Sequence, residues 1–245
     1  MPDASDPELI ECIRDALARD ARRVLPVTCG DRTIWVKRLE RLSPLRRLQK
    51  GSAAAVFEAE RAALHALAGR GLPVPPILAE GDDFFALPDC GPSLDHLLRT
   101  PGATTETDRM AAFEAAGRAL AGLHRAGVSH GRPSLRDICW QDGRITFLDF
   151  ERHAAHRNTP EGHAEDVVIF VFNGIRVGQG MTPELRRAID SYRAADPGGI
   201  WQRAQGWCRR RRWVATLTGP LRWRRDGKST EFKAIPETLA VFSAE

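Results

Sequence analysis

A chain of 245 residues with 42% hydrophobic content and a formal net charge of +4 is long enough for one large domain or two lobes sharing a cleft, and apolar enough for a packed core. No stretch approaches the roughly 18 to 20 apolar residues that span a bilayer, and residues 1–20 are acidic and polar where a secretory signal would be basic and then apolar, so the expected compartment is the cytoplasm. Five cysteines, Cys12, Cys29, Cys90, Cys139 and Cys208, are an odd number at wide, irregular spacing with no C-x-x-C; neither a disulfide framework nor a zinc knuckle is expected, and all five read as reduced and mostly buried.

In chain order, residues 6–21 read as an amphipathic helix, with Leu9, Ile10, Ile13 and Leu17 at helical spacing after an acidic start. Two strands follow, 22–28 and 32–39, joined by Cys29-Gly30-Asp31, whose glycine suits a tight hairpin. Lys37 lies in the second strand. From 52 to 68, Val56, Ala59, Ala63, Leu64 and Leu67 recur at helical spacing, with Ser52 as a candidate N-cap and Gly69 and Gly71 ending the run; this helix carries Glu60. Residues 72–78 and 84–87 read as short strands, 88–92 as a hinge-like connector and 93–99 as a helix. A long helix over 106–126 leads into a loop, 144–148 is a short apolar strand ending at Asp149, and the chain beyond Asp166 is mostly helical. The expected division is 1–88 and 89–245.

Residues 123–151, LHRAGVSHGRPSLRDICWQDGRITFLDFE, have the layout of a kinase catalytic loop followed by a metal-binding Asp-Phe turn. In the pattern H-R-D-L-x-x-x-N followed by D-F-G, an Asp orients the acceptor hydroxyl, an Asn holds one magnesium ion and the second Asp holds metal against the phosphates. His130 and Asp149 fit. The position of the catalytic Asp holds Arg132, and that of the Asn holds Asp137.

With V-K at Val36-Lys37, E-R-A-A-L at Glu60 to Leu64, P-V-P-P at Pro73 to Pro76, L-H-R-A-G-V-S-H at Leu123 to His130, L-D-F-E at Leu148 to Glu151, and Asp166, the ordered set resembles the bacterial lipopolysaccharide kinase group, the heptose and Kdo kinases of the wider protein-kinase-like fold. The resemblance implies an α+β, bilobal protein-kinase-like fold, with a small N-lobe sheet, one packed helix and a mostly helical C-lobe. It implies an ATP- and magnesium-dependent phosphotransferase acting on a sugar hydroxyl of a lipopolysaccharide core or similar glycolipid. That group commonly has Asp-Phe-Glu where protein kinases have Asp-Phe-Gly, and Glu151 follows suit.

On this reading Lys37 meets the α and β phosphates of ATP, Glu60 holds that lysine by an ion pair, and Asp149 and Asp137 bind magnesium through oxygen, the ligand type that metal prefers. The plainer alternatives are a solvated strand lysine, a solvated helix carboxylate, a turn Asp, and an Asp137 that caps or pairs with Arg136. Arg132 accepts no proton at physiological pH and so is no general base. Its guanidinium would instead stabilise charge in the transition state or hold an anionic acceptor, and Asp137 would stand in for the missing Asp. A catalytically impaired pseudokinase, serving as a nucleotide-binding or scaffold module, is the competing reading. No G-x-G-x-x-G precedes Lys37, so the phosphate lid is reduced or absent. His130 is expected to hydrogen-bond structurally and Asp166 to anchor the loop, while His153, His156 and His163 match no common metal-ligand spacing and read as solvated loop residues.

Residues 201–228, from Trp201 to Lys228, hold nine basic residues and one acidic, a local +8 that leaves −4 for the rest. Tryptophans beside arginines suit an anionic inner-membrane surface or a phosphorylated glycolipid. A charged outer helix face is the plain alternative, and nucleic acid is disfavoured because the common RNA-binding strings are missing.

Overall fold

Strand pairing organises the first part of the computed structural model, which describes residues 7–39, 53–218 and 229–243. Strands β1 (Val24–Cys29), β2 (Arg32–Arg38), β3 (Ala79–Glu80) and β4 (Phe84–Pro88) form an antiparallel sheet in the order β1-β2-β4-β3. Gly30, at φ +63°, makes the left-handed turn between β1 and β2. The register sets Val36 opposite Leu25 and Ala86, and Lys37 opposite Val24 and Phe85. Because side chains alternate across a strand, the two rows point to opposite faces.

One face buries Leu25, Val27, Ile34, Val36, Phe84 and Ala86 with Leu9 and Ile13 of helix α1 (Pro7–Arg19). On the other, Phe85 meets Phe57 of helix α2 (Ala53–Gly69) with ring centroids 5.0 Å apart. Two helices, not one, therefore cover the sheet. Ser52, the candidate cap of α2, lies outside the described residues.

Residues 72–78 are not a strand. Pro73, Pro75 and Pro76 lack the N–H a ladder requires, so strand pairing begins only at Ala79. A second correction concerns the cysteines. Cys12 and Cys29 form a disulfide across a Cα separation of 6.1 Å. The apolar stripe of α1 lies on β1 and carries Cys12 to the strand's end, a proximity that a sequence spacing of 17 does not announce.

The remaining elements are α3 (Leu94–Arg99), α4 (Glu106–Arg125), β5 (Ile138–Gln141), β6 (Arg144–Phe147), α5 (Pro160–Gly178), α6 (Pro183–Ala194), α7 (Ile200–Arg210), α8 (Trp213–Leu217) and α9 (Ser229–Val241). Their ends follow from local chemistry. Ser93, Thr105, Thr159 and Thr182 each accept a backbone N–H in the first turn of α3, α4, α5 and α6, and α5 and α6 each begin with proline, whose missing N–H costs nothing there. Strands β5 and β6 pair through an Asp142-Gly143 turn with both φ values positive. Helix α5 buries Val167, Phe170, Val171 and Ile175 among its neighbours α7 and α9. Helices α4 and α6 approach so closely that any side chain at Gly117 would run into the Ala188 carbonyl.

The described chain is thus α+β, with helix predominating and a small antiparallel sheet. It divides into two units, Met1–Cys90 together with Asp149–Glu151, and Gly91–Leu148 together with Arg152–Glu245. The return of three residues to the first unit is the feature that builds the site described below.

The disulfide makes a direct prediction. Denatured under non-reducing conditions, the protein should titrate three thiols, those of Cys90, Cys139 and Cys208, and five after reduction. In the folded state Cys208 should stay inert, since burial pushes its thiol up to about 12. Five thiols without reductant would show that the bond is absent.

Candidate functional site

Alternation along β2 turns Lys37 toward the face that α2 covers, and helical phase on α2 turns Glu60 inward to meet it. Lys37 Nζ donates to Glu60 Oε1 at 2.7 Å and Oε2 at 2.5 Å. Glu60 is only 2% exposed, a degree of burial that a carboxylate tolerates only opposite a cation.

Two further carboxylates converge on the same ammonium, with Glu151 Oε1 at 3.0 Å and Asp149 Oδ1 at 3.7 Å from Nζ. Arg23, just before β1, donates to Glu151 from its guanidinium. One oxygen from each of Glu60, Asp149 and Glu151 lies within 4.8 Å of the others, an all-oxygen set of the kind that holds a hard divalent cation. Asp149 itself sits at φ +61°, in the left-handed region that few non-glycine residues enter. Asp is among those that tolerate it, and such backbone outliers concentrate at functional sites.

Electrostatics at Glu60 oppose each other. Burial lifts its carboxyl above the ordinary value, the Lys37 ammonium pulls it back, and Asp149 adds to the upward push. The ammonium therefore keeps three nearby carboxylates compatible, with Arg23 as the second cation.

In the second unit, the loop 130–137 is fixed by its backbone. Asp166 on α5 accepts from His130 N at 2.6 Å and Gly131 N at 2.9 Å, while Asn173, two turns further along the same helix, accepts from Leu135 N at 2.8 Å. His130 is fully buried, its Nε2 2.9 Å from the Leu148 carbonyl and its ring edge-on to Phe147. Gly131, at φ +92°, passes so close to the Arg152 carbonyl that no side chain fits. These contacts give His130 and Asp166 the structural roles their motif positions suggested. The loop carries Arg132, half-buried, and Asp137, buried with Oδ1 3.4 Å from Arg136 Nε.

Of the residues singled out from sequence, Lys37, Glu60 and Asp149 meet in the first unit, and Arg132 and Asp137 share one anchored loop in the second. Glu151 and Arg23 were not anticipated as site residues. Glu151 follows Asp149 by two positions, which was the available signal; Arg23 is one of two adjacent arginines in an exposed stretch and gave none. The histidine expectation fails for two residues. His163 is buried on α5 and stacked on His124 at 4.5 Å, and burial, reinforced by that neighbour, holds it down at about 4, so it is neutral. His153 packs its Nδ1 2.8 Å from the Ser129 carbonyl. His124 in turn bonds the buried Tyr192 hydroxyl at 2.7 Å, joining α4 to α6 behind the loop.

No protein-family model matches the chain. It is 28% identical over 200 residues to an uncharacterised protein of Haemophilus influenzae, an alignment covering 82% of this chain and 82% of that protein.

The cluster predicts unequal effects of its two halves. In Glu60→Gln, Lys37 keeps Glu151 and Asp149 as partners, so the stability loss should stay near or below about 1 kcal/mol. Lys37→Met leaves Glu60 buried among carboxylates, and a loss of about 3 kcal/mol is expected near pH 8. The sign with pH follows from the raised Glu60 carboxyl. Stability linked to a raised acid is fully present below its unfolded value and lost as pH rises through its folded value, which the Lys37→Met change raises further. The deficit should therefore shrink as the pH is lowered toward about 5. Denaturant melts of both variants at the two pH values check this, and equal, pH-independent losses would contradict it.

Proposed function

We propose that this protein is a phosphotransferase that uses ATP and magnesium to phosphorylate a sugar hydroxyl on a lipopolysaccharide core or similar glycolipid, on a bilobal protein-kinase-like fold working in the cytoplasm. The observation that carries the reading is the buried Lys37–Glu60 pair with Asp149 delivered beside it. A strand lysine tied to a helix glutamate is a fixed cation suited to the α and β phosphates of ATP. The donor chemistry suits magnesium, since Asp149 and Glu151 offer carboxylate oxygens close to one another beside the ammonium. When bound, that ion would neutralise phosphate charge and so lower the repulsion facing an incoming hydroxyl.

Glu60 orients the lysine from the helix side. Glu151, bonded to Lys37 and Arg23, is the group that would yield Lys37 to a phosphate while keeping its own arginine. In the loop, Asp137 is assigned to magnesium and to receiving the acceptor proton, and Arg132, charged at every physiological pH, to holding an anionic acceptor or the charge of the transferring group. Such a division suits a reaction driven mainly by positioning and charge neutralisation.

A second reading, a pseudokinase that binds nucleotide or scaffolds a partner without turnover, is favoured by Arg132 in place of the base and by the engagement of Lys37 with three carboxylates at once. Incubation with γ-labelled ATP, magnesium and a bacterial glycolipid extract separates the two. The phosphotransferase reading predicts label in lipid, reduced about a hundredfold or more by Asp149→Ala. Nucleotide binding without Asp149-dependent label in lipid, protein or free phosphate would replace it with the pseudokinase.

A further inference from the structure

The basic tryptophan-containing segment resolves into unlike parts. Trp201 is a core residue, 5% exposed and packed on Phe242 at 4.6 Å, and Trp207 lies beneath the Arg211 guanidinium at 3.9 Å. Trp201 is thus withdrawn from the surface and Trp207 is half-buried, so the described part of 201–228 is not one uniformly exposed face. Residues 219–228 lie outside the described residues. What remains is α8, where Trp213 and Leu217, one helical turn apart on the same side, are 60% and 68% exposed, the two most exposed large apolar side chains among the described residues.

Arg212, which immediately precedes Trp213, lines with Arg193 and Arg209 an open groove of about 460 Å³ whose lining includes no acidic residue. The groove is built, since Arg193 stacks over the Trp201 ring at 5.3 Å and Arg212 donates to Ser243 Oγ at 3.0 Å.

We propose that this face docks the protein on an anionic phospholipid surface, with the groove arginines on lipid phosphates and Trp213 and Leu217 in the boundary between headgroups and acyl chains. Exposed indole and leucine cost free energy in water and regain it at that depth, while guanidinium groups meet the negative leaflet. Charge complementarity and an apolar pair at one site distinguish this occupant from nucleic acid, which would be served by the arginines alone. The inference stands independently of the phosphotransferase reading.

The test is co-sedimentation of the full chain with vesicles of phosphatidylcholine alone or with about one-third phosphatidylglycerol. Binding should require the anionic lipid, weaken with salt, and fall about tenfold in Trp213→Ala/Leu217→Ala and at least as far in Arg209→Gln/Arg212→Gln, with unchanged far-UV circular dichroism. Should either double variant fail to fold, bromine-labelled lipid should quench tryptophan emission of the unmodified chain, and Trp213→Phe should lose that quenching. Equal affinity for both vesicles, no binding to either, or vesicle binding untouched by the Trp213 substitutions would overturn the proposal. So would loss of self-association in the Trp213/Leu217 variant without vesicles, or displacement of the protein from vesicles by nucleic acid at equal charge.

Discussion

A carboxylate buried as deeply as Glu60 must face a cation, and meeting that requirement fixes much of the first unit. The cation has to arrive on a side chain long enough to cross from sheet to helix, so Lys37 must sit on the α2 face of β2, which sets the strand's phase. Neighbouring Val36 is thereby turned into the opposite core with α1. The same pair also leaves the ammonium able to accept more negative charge, and Asp149 and Glu151 supply it. With two cations, Lys37 and Arg23, against three carboxylates, Glu60, Asp149 and Glu151, the cluster is a charge network rather than a single salt bridge.

The second unit solves a different problem by similar means. A loop that must present Arg132 and Asp137 has backbone N–H groups to satisfy, and α5 satisfies them with Asp166 and Asn173 spaced along one helix face. His130 closes the loop from inside against the Leu148 carbonyl, and the missing side chain at Gly131 allows the close pass by Arg152. Loop geometry is therefore held by backbone contacts at His130, Gly131 and Leu135, with the Arg132 side chain between those anchors and Asp137 just beyond them. Because these anchors act through the backbone, none of them uses the side chain at position 132.

Features with a short-range cause were legible in the sequence. Gly30, the helical spacing around Glu60 and the apolar run into Asp149 each act over a few residues, and the elements they mark lie where they indicate. The ion pair between Lys37 and Glu60 was legible only through the order of motifs, since neither residue alone distinguishes a paired charge from a solvated one. What the sequence hid depends on contacts made after packing. The Cys12–Cys29 bond needs α1 laid on β1, the neutral His163 needs α4 beside α5, and Trp201 needs α9 over α7. Composition placed the four tryptophans of 201–228 together, whereas burial separates Trp201 from Trp213. The three prolines near Val74 misled in the other direction, because an extended, apolar segment without N–H donors looks like a strand but cannot pair as one.

Equilibrium titration with a non-hydrolysable ATP analogue, with and without magnesium and on Asp149→Asn in parallel, tests most directly whether the Lys37 cluster is a phosphate and metal site. Saturable binding that depends on magnesium and is lost in Asp149→Asn is the expected result. Binding indifferent to both the metal and Asp149, or no binding at all, would contradict it and leave the cluster as a structural ion-pair network.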